Sequence, residues 1–106
     1  MNWLLLFYLL AAHALCDFPL QGDFLAKGKS QLAPIPGVPW FWCLFWHAMI
    51  HAGAVALLTH NLWLGLAELV LHFIIDDMKC GGLFGFGADQ SLHVLCKLLW
   101  WVLACL

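Results

Sequence analysis

The chain has 106 residues, 65% of them hydrophobic and only 9% charged, whereas soluble domains of this size carry about a quarter charged residues. That composition excludes an ordinary water-soluble domain, and a formal net charge of −2 with four lysines and no arginine excludes a basic surface for nucleic acid. A chain this short cannot divide into two independently stable cores, so residues 1–106 are expected to form a single domain.

Hydropathy marks four segments, near residues 2–18, 39–59, 62–79 and 87–106, each close to the roughly 17 to 25 residues needed to cross the hydrocarbon of a bilayer. Backbone polar groups in lipid must be paired within the segment, so the expected fold is all-α: a polytopic membrane protein of four transmembrane helices in a bundle. The first segment resembles an export signal in length, but it lacks a basic n-region, and Leu15 before Cys16 fits a lipoprotein cleavage site poorly. It reads as a retained span. Pro19 ends it soon after Asp17, and Pro34, Pro36 and Pro39 mark a loop that closes where the second span opens. Only His60 and Asn61 join spans two and three, which forces an antiparallel hairpin.

The stretch Gly81-Gly82-Leu83-Phe84-Gly85-Phe86-Gly87 lacks the Lys and Ser/Thr of a phosphate loop and does not follow a strand. It is expected to be a flexible interfacial turn before the fourth span. Lys27, Lys29 and Lys79 fall on one side of the four spans, so the positive-inside rule makes that side cytoplasmic and puts both termini outside. The expected location is the cytoplasmic membrane. Trp3, Trp63, Trp100 and Trp101 fall near the outer ends of their spans, and Trp40 and Trp42 near an inner end, as interfacial belts require. Five cysteines, at 16, 43, 80, 96 and 105, form no CxxC pair and read as apolar thiols. Cys80 lies close enough to Asp76 to be a minor ligand candidate.

Within these apolar segments stand four i, i+4 pairs: His13/Asp17, His47/His51, His72/Asp76 and Asp89/His93. Residues four apart share a helix face. An ionisable group in lipid costs several kcal/mol unless it meets a partner, a cavity or a metal, so each stripe marks a site. Counted inward from the expected cytoplasmic boundary, Asp17, Asp76 and Asp89 come out shallow, and His13, His47, His72 and His93 share a level roughly 8 to 12 Å deep. A third level holds His51 with Glu68 and Lys97, the last two able to neutralise one another.

Imidazole and carboxylate are the usual ligands of Zn, Mn and Fe. The expected cofactor is therefore a divalent metal, up to two ions, with His13, Asp17, His47, His51, His72, Asp76, Asp89 and His93 as the ligand pool. Carboxylate proteins of the four-helix class build dimetal sites the same way. Such a centre can activate water and clamp a phosphoryl or acyl oxygen, which points to hydrolysis of a lipid-linked or phosphorylated substrate, with Asp17, Asp76 and Glu68 as the catalytic carboxylates. Gln21 and Gln90 lie near the mouth, whereas Asp23, Asp77 and His60 fall at loops or helix ends. Two other readings use the same residues. Stacked ionisable layers suit a proton- or cation-conducting protein, which would need a polar exit at an oligomer interface because the outer half is apolar. A small accessory protein acting on membrane partners would keep the polar set only to fix helix register.

The strings His13-Ala14-Leu15-Cys16-Asp17-Phe18-Pro19-Leu20-Gln21, the His47/His51 pair, Glu68 to Asp76 followed by Lys79, and Gly87-Ala88-Asp89-Gln90 with His93 together resemble a family of small bacterial and phage membrane proteins known as a domain of unknown function. The resemblance spans nearly the whole chain and implies a membrane location and no particular reaction. A fainter likeness, His and Asp at helical spacing in several membrane helices, is to membrane-bound metal-dependent hydrolases.

Overall fold

In the computed structural model, residues 1–106 form five helices and no strand: α1 Trp3–Asp17, α2 Gly22–Gly28, α3 Trp40–Thr59, α4 Leu62–Cys80 and α5 Phe86–Cys105. The four long helices begin and end within a residue or two of the four apolar segments. They pack as a ring, α1 on α3, α3 on α4, α4 on α5 and α5 on α1, in a body 46 Å long and 23 by 22 Å across.

Local chemistry explains the boundaries. Asn2 caps α1 by accepting from the Leu5 amide at 3.0 Å, and Asn61 caps α4 by accepting from the Trp63 and Leu64 amides. His60, at φ 53°, takes the left-handed conformation that ends α3 and reverses the chain within two residues. At the other end of the bundle the turn before α5 is shorter than the glycine pattern suggests. Gly82, at φ 83°, makes the reversal, and Phe86 and Gly87 already belong to α5.

The seven-residue α2 departs from the expected loop. Gly22, at φ 67°, redirects the chain after Pro19, and α2 leaves α1 at a bend of 81°. Gly28 lets α2 lie directly on α3: a Cβ there would stand 2.6 Å from Cys43 Sγ. The helix closes one end of the bundle, here called the α2 end. The termini meet at the other end, where Trp101 Nε1 donates to the Asn2 carbonyl at 2.6 Å and the Trp3 and Trp101 rings lie 4.7 Å apart. Trp100 and Trp101 are buried, which corrects their expected place in an interfacial belt; each indole N–H has an internal acceptor that holds it in the core.

By length and apolar character α3 alone is suited to cross a membrane, and α1 with α2 would qualify as one span broken at the bend. α1 by itself has 15 residues, and α4 and α5 are interrupted by Glu68, Asp76, Asp89 and Lys97, all buried. The distribution of residues is inverted relative to a water-soluble bundle. Of 24 buried residues, 11 are polar or charged, while Trp3, Phe7, Trp42, Trp63, Val70 and Leu95 lie on the exterior. The apolar core proper is a cluster of Leu9, Val55, Leu64, Trp100 and Trp101 toward the termini end.

The α3–α4 contact is the most extensive in the fold, and Gly65 permits it: a Cβ there would meet Ala56 Cβ at 2.7 Å and the Ala52 carbonyl oxygen at 3.0 Å. Gly65→Val should therefore cost about 1–3 kcal/mol through overpacking. Gly53, with nothing within 4 Å of its Cβ position, should tolerate Ala with a gain of about 0.5–1 kcal/mol. Thermal unfolding in detergent checks the pair, and equal responses would refute the close-packing account.

Candidate metal centre

α1 and α4 run toward the α2 end, and α3 and α5 run away from it. Because Cα–Cβ bonds lean toward a helix's N-terminus, side chains on α3 and α5 reach back toward the α2 end while those on α1 and α4 reach away. Residues at different backbone depths therefore converge on one level. His51 is the clearest case: expected a turn deeper beside Glu68, it comes up to Asp17, with Nε2 3.1 Å from Oδ1.

Two carboxylates anchor the convergence. Asp17 Oδ1 also lies 3.2 Å from His47 Nε2, and its Oδ2 accepts from Gln90 Nε2 at 2.7 Å. Asp76 Oδ1 lies 2.9 Å from His93 Nε2, and its Oδ2 lies 3.1 Å from His47 Nε2 and 3.5 Å from His72 Nε2. Two groups of atoms stand close enough to share an ion: Asp17, His47, His51 and His72, and His72, Asp76 and His93, with the ligand atoms of each group within 4.8 Å of one another and every residue buried. His72 belongs to both. The Nε2 atoms of His72 and His47 face each other at 3.2 Å, an arrangement suited to a shared proton or to a cation between two lone pairs.

A second ring of contacts orients these ligands. His72 Nδ1 donates to Glu68 Oε1 at 3.0 Å, so its Nε2 keeps the lone pair, the carboxylate–histidine arrangement usual behind a metal ligand. Glu68 is fully engaged: Lys97 Nζ donates to Oε1 and Trp100 Nε1 to Oε2, each at 2.6 Å. It therefore supports His72 and does not face the two ligand groups. His13 and Asp89, both in the expected ligand pool, flank them. His13 Nε2 is 3.0 Å from Gln90 Oε1 and 3.8 Å from Asp17. Asp89 Oδ1 approaches His93 Nε2 to 3.2 Å without the alignment of a hydrogen bond. Cys80 joins neither group, and Asp77 meets Gln31 at the surface.

Lys29 was legible only as a loop charge, yet it is buried in this site. Its Nζ donates to Asp76 Oδ2 at 3.0 Å and to Gln21 Oε1, while Gln21 Nε2 caps the Asp17 carbonyl at 3.0 Å. Only the unexpected α2 brings it there. A sequence signal existed in the Gly28-Lys29 pair, a residue without a Cβ beside a cation, but it is weak without the fold.

The charge inventory is lopsided. Buried Asp17, Glu68, Asp76 and Asp89 face two buried ammoniums, Lys29 and Lys97. With neutral imidazoles, two negative charges stay uncompensated. Asp23 and Asp77 cancel Lys27 and Lys79, so the whole formal charge of −2 resides in this pocket. A divalent cation or two imidazoliums would balance it. His51, His72 and His93 stack, with centroids 3.8 and 4.1 Å apart, so two neighbouring rings charged together would repel. The Nδ1 atoms of His13, His47 and His93 are buried without a partner, an outlay of about 1–3 kcal/mol each that the fold accepts while turning every Nε2 inward. The buried His and Asp groups can bind a metal ion.

Breaking the support pair has a definite expectation. Glu68→Gln leaves the Lys97 ammonium buried without its counter-ion and should destabilise by about 3–5 kcal/mol. Adding Lys97→Met should restore more than half of that loss in detergent unfolding. A double variant no more stable than the single one would mean that the pair does not act as a unit.

Among known families, residues 5–105 match the one described as "Protein of unknown function (DUF3307)". No curated protein and no solved structure matches the chain. With the match running through all four long helices and every residue of the two ligand groups, the chain belongs to the DUF3307 family.

Proposed function

We propose that this chain is a single-domain, four-span inner-membrane protein whose His/Asp pocket holds a divalent metal ion of the Zn, Mn or Fe class and uses it to hydrolyse a phosphorylated or lipid-linked substrate. The observation that carries the reading is the convergence of six ligand side chains from four helices in a pocket where four buried carboxylates meet two buried ammoniums.

The membrane assignment is supported by the inverted distribution of residues. An exterior of Leu, Phe and Trp around a polar interior is unfavourable in water and favourable in lipid. Lys27, Lys29 and Lys79 at the α2 end support, by the positive-inside rule, a cytoplasmic α2 end with both termini outside.

Hydrolysis needs water alone as co-reactant. A bound divalent ion would lower the pKa of water and polarise the phosphoryl or acyl oxygen. The water oxygen bonds to phosphorus or carbonyl carbon, the bond to the leaving oxygen breaks, and that oxygen takes up a proton. Asp17 is the carboxylate suited to accept the proton of the attacking water, because its Oδ2 is held by Gln90. Gln90 also borders a shallow, open surface beside Ser91, Val94 and Leu95 of α5, an apolar helix face that a lipid tail would meet. Asp76 acts as a ligand and Glu68 as the group that orients His72.

Conduction through the protomer is less favoured, because Leu9, Val55, Leu64, Trp100 and Trp101 fill the bundle toward the termini end. A purely structural polar set is less favoured by the uncompensated charge.

Protein purified in detergent without chelators should contain at least one equivalent of metal per chain. His72→Ala and Asp76→Asn should each lower metal content by more than half, and His60→Ala, at the remote linker, should leave it unchanged. The loaded protein should release phosphate from p-nitrophenyl phosphate or from phosphatidic acid in mixed micelles, and Asp17→Asn should abolish release. A folded protein without metal sinks the metal centre; a loaded protein inert toward both substrates sinks the hydrolase.

A further inference from the structure

The metal centre proposed above leaves unexplained why an ammonium group stands inside it. Lys29 Nζ lies 3.0 Å from Asp76 Oδ2, the oxygen that also faces His47 Nε2 at 3.1 Å and His72 Nε2 at 3.5 Å. It occupies, from the side of α2, a position on that carboxylate which a divalent ion in the His72–Asp76–His93 group would claim. Two cations on one carboxylate in a low-dielectric pocket repel strongly. The neighbouring group lies one imidazole away, so an ion there repels the ammonium as well.

The placement of Lys29 is built into the fold. Gly28 packs so closely that a Cβ there would stand 2.6 Å from Cys43 Sγ and 3.4 Å from Ile35 Cδ1, Gln21 holds the ammonium from the other side, and Gln21 is itself fixed to the end of α1. An ammonium displaced from Asp76 keeps its Gln21 contact and stays at the rim of the pocket. There it adds positive charge to that of the ion, on the side facing the α2 end.

Resting on the metal-centre reading, we propose that Lys29 is the anion-recognition residue of this site. It compensates Asp76 while the pocket is empty, is released from that carboxylate by the entering ion, and then receives an oxygen of a phosphoryl group bound to the loaded pocket. The substrate class this selects is a phosphate ester. A neutral carboxylic ester or amide offers the freed ammonium no formal charge to meet.

The two roles predict opposite signs for one substitution. Lys29→Met removes a cation that competes with the metal and a cation that attracts phosphate. By isothermal titration in detergent, Zn or Mn alone should bind the variant more tightly than wild type, on the order of tenfold. Inorganic phosphate should bind the metal-loaded variant more weakly, by a similar factor. Lys29→Arg should keep phosphate binding within about threefold of wild type. Gly28→Ala, which pushes α2 off α3 without touching a charge, should show the same pair of opposite shifts in smaller measure. Metal and phosphate affinity falling together in Lys29→Met would mean that Lys29 only supports the fold, and unchanged phosphate affinity would remove its recognition role; either overturns the proposal while leaving the metal centre intact. Wild-type protein that binds no metal would instead overturn the metal centre on which the inference rests.

Discussion

Ionisable groups withdrawn from water must be compensated by one another, and that requirement organises this bundle. Asp17, Glu68, Asp76 and Asp89 have nowhere to send their charge except to imidazoles, ammoniums and the Gln90 amide inside the ring of helices. Each helix contributes to the compensation of another: α1 with α3 at Asp17, α4 with α3 and α5 at Asp76. In the membrane setting proposed for this chain, hydrophobic burial between helices would contribute little and such contacts would specify which helices meet and in what register.

The two ends of the bundle solve different problems. Toward the termini, packing is apolar and close, with Leu9, Val55, Leu64, Trp100 and Trp101 in contact and the first residues tied to the last through Trp101 and Asn2. Toward α2 the interior holds the buried His, Asp and Lys side chains, with Cys16, Cys43, Leu44, Ala48 and Ile75 packed beside them. Glu68 joins the halves, since it accepts from Trp100 on one side and His72 on the other. A shift in the tryptophan packing would therefore be felt at a ligand nitrogen.

Much of this was legible in residue spacing. The four i, i+4 pairs put their members on common helix faces, and the tight His60–Asn61 linker dictated the hairpin, because both depend only on helical repeat and chain length. The pairing of Glu68 with Lys97 followed from their shared depth. What escaped depended on direction and on tertiary contacts. His51 appeared a turn too deep because counting along the backbone ignores the lean of Cβ. Trp100 and Trp101 appeared interfacial because composition does not reveal an acceptor across the bundle. α2 and Lys29 were hidden because a seven-residue helix has too few turns to show periodicity, and a lysine in a polar stretch normally faces water.

One consequence follows from the way Glu68 holds His72. With Nδ1 committed to that carboxylate, the ring retains a single electron pair, at Nε2, although it is a member of both candidate groups. A nitrogen pair coordinates one ion at a time. The two groups are thus alternative seats around a pivot, and filling one leaves the other short of a ligand. Because turning the ring would break its bond to Glu68, an ion in such a pocket would change seats only by letting go of His72 Nε2.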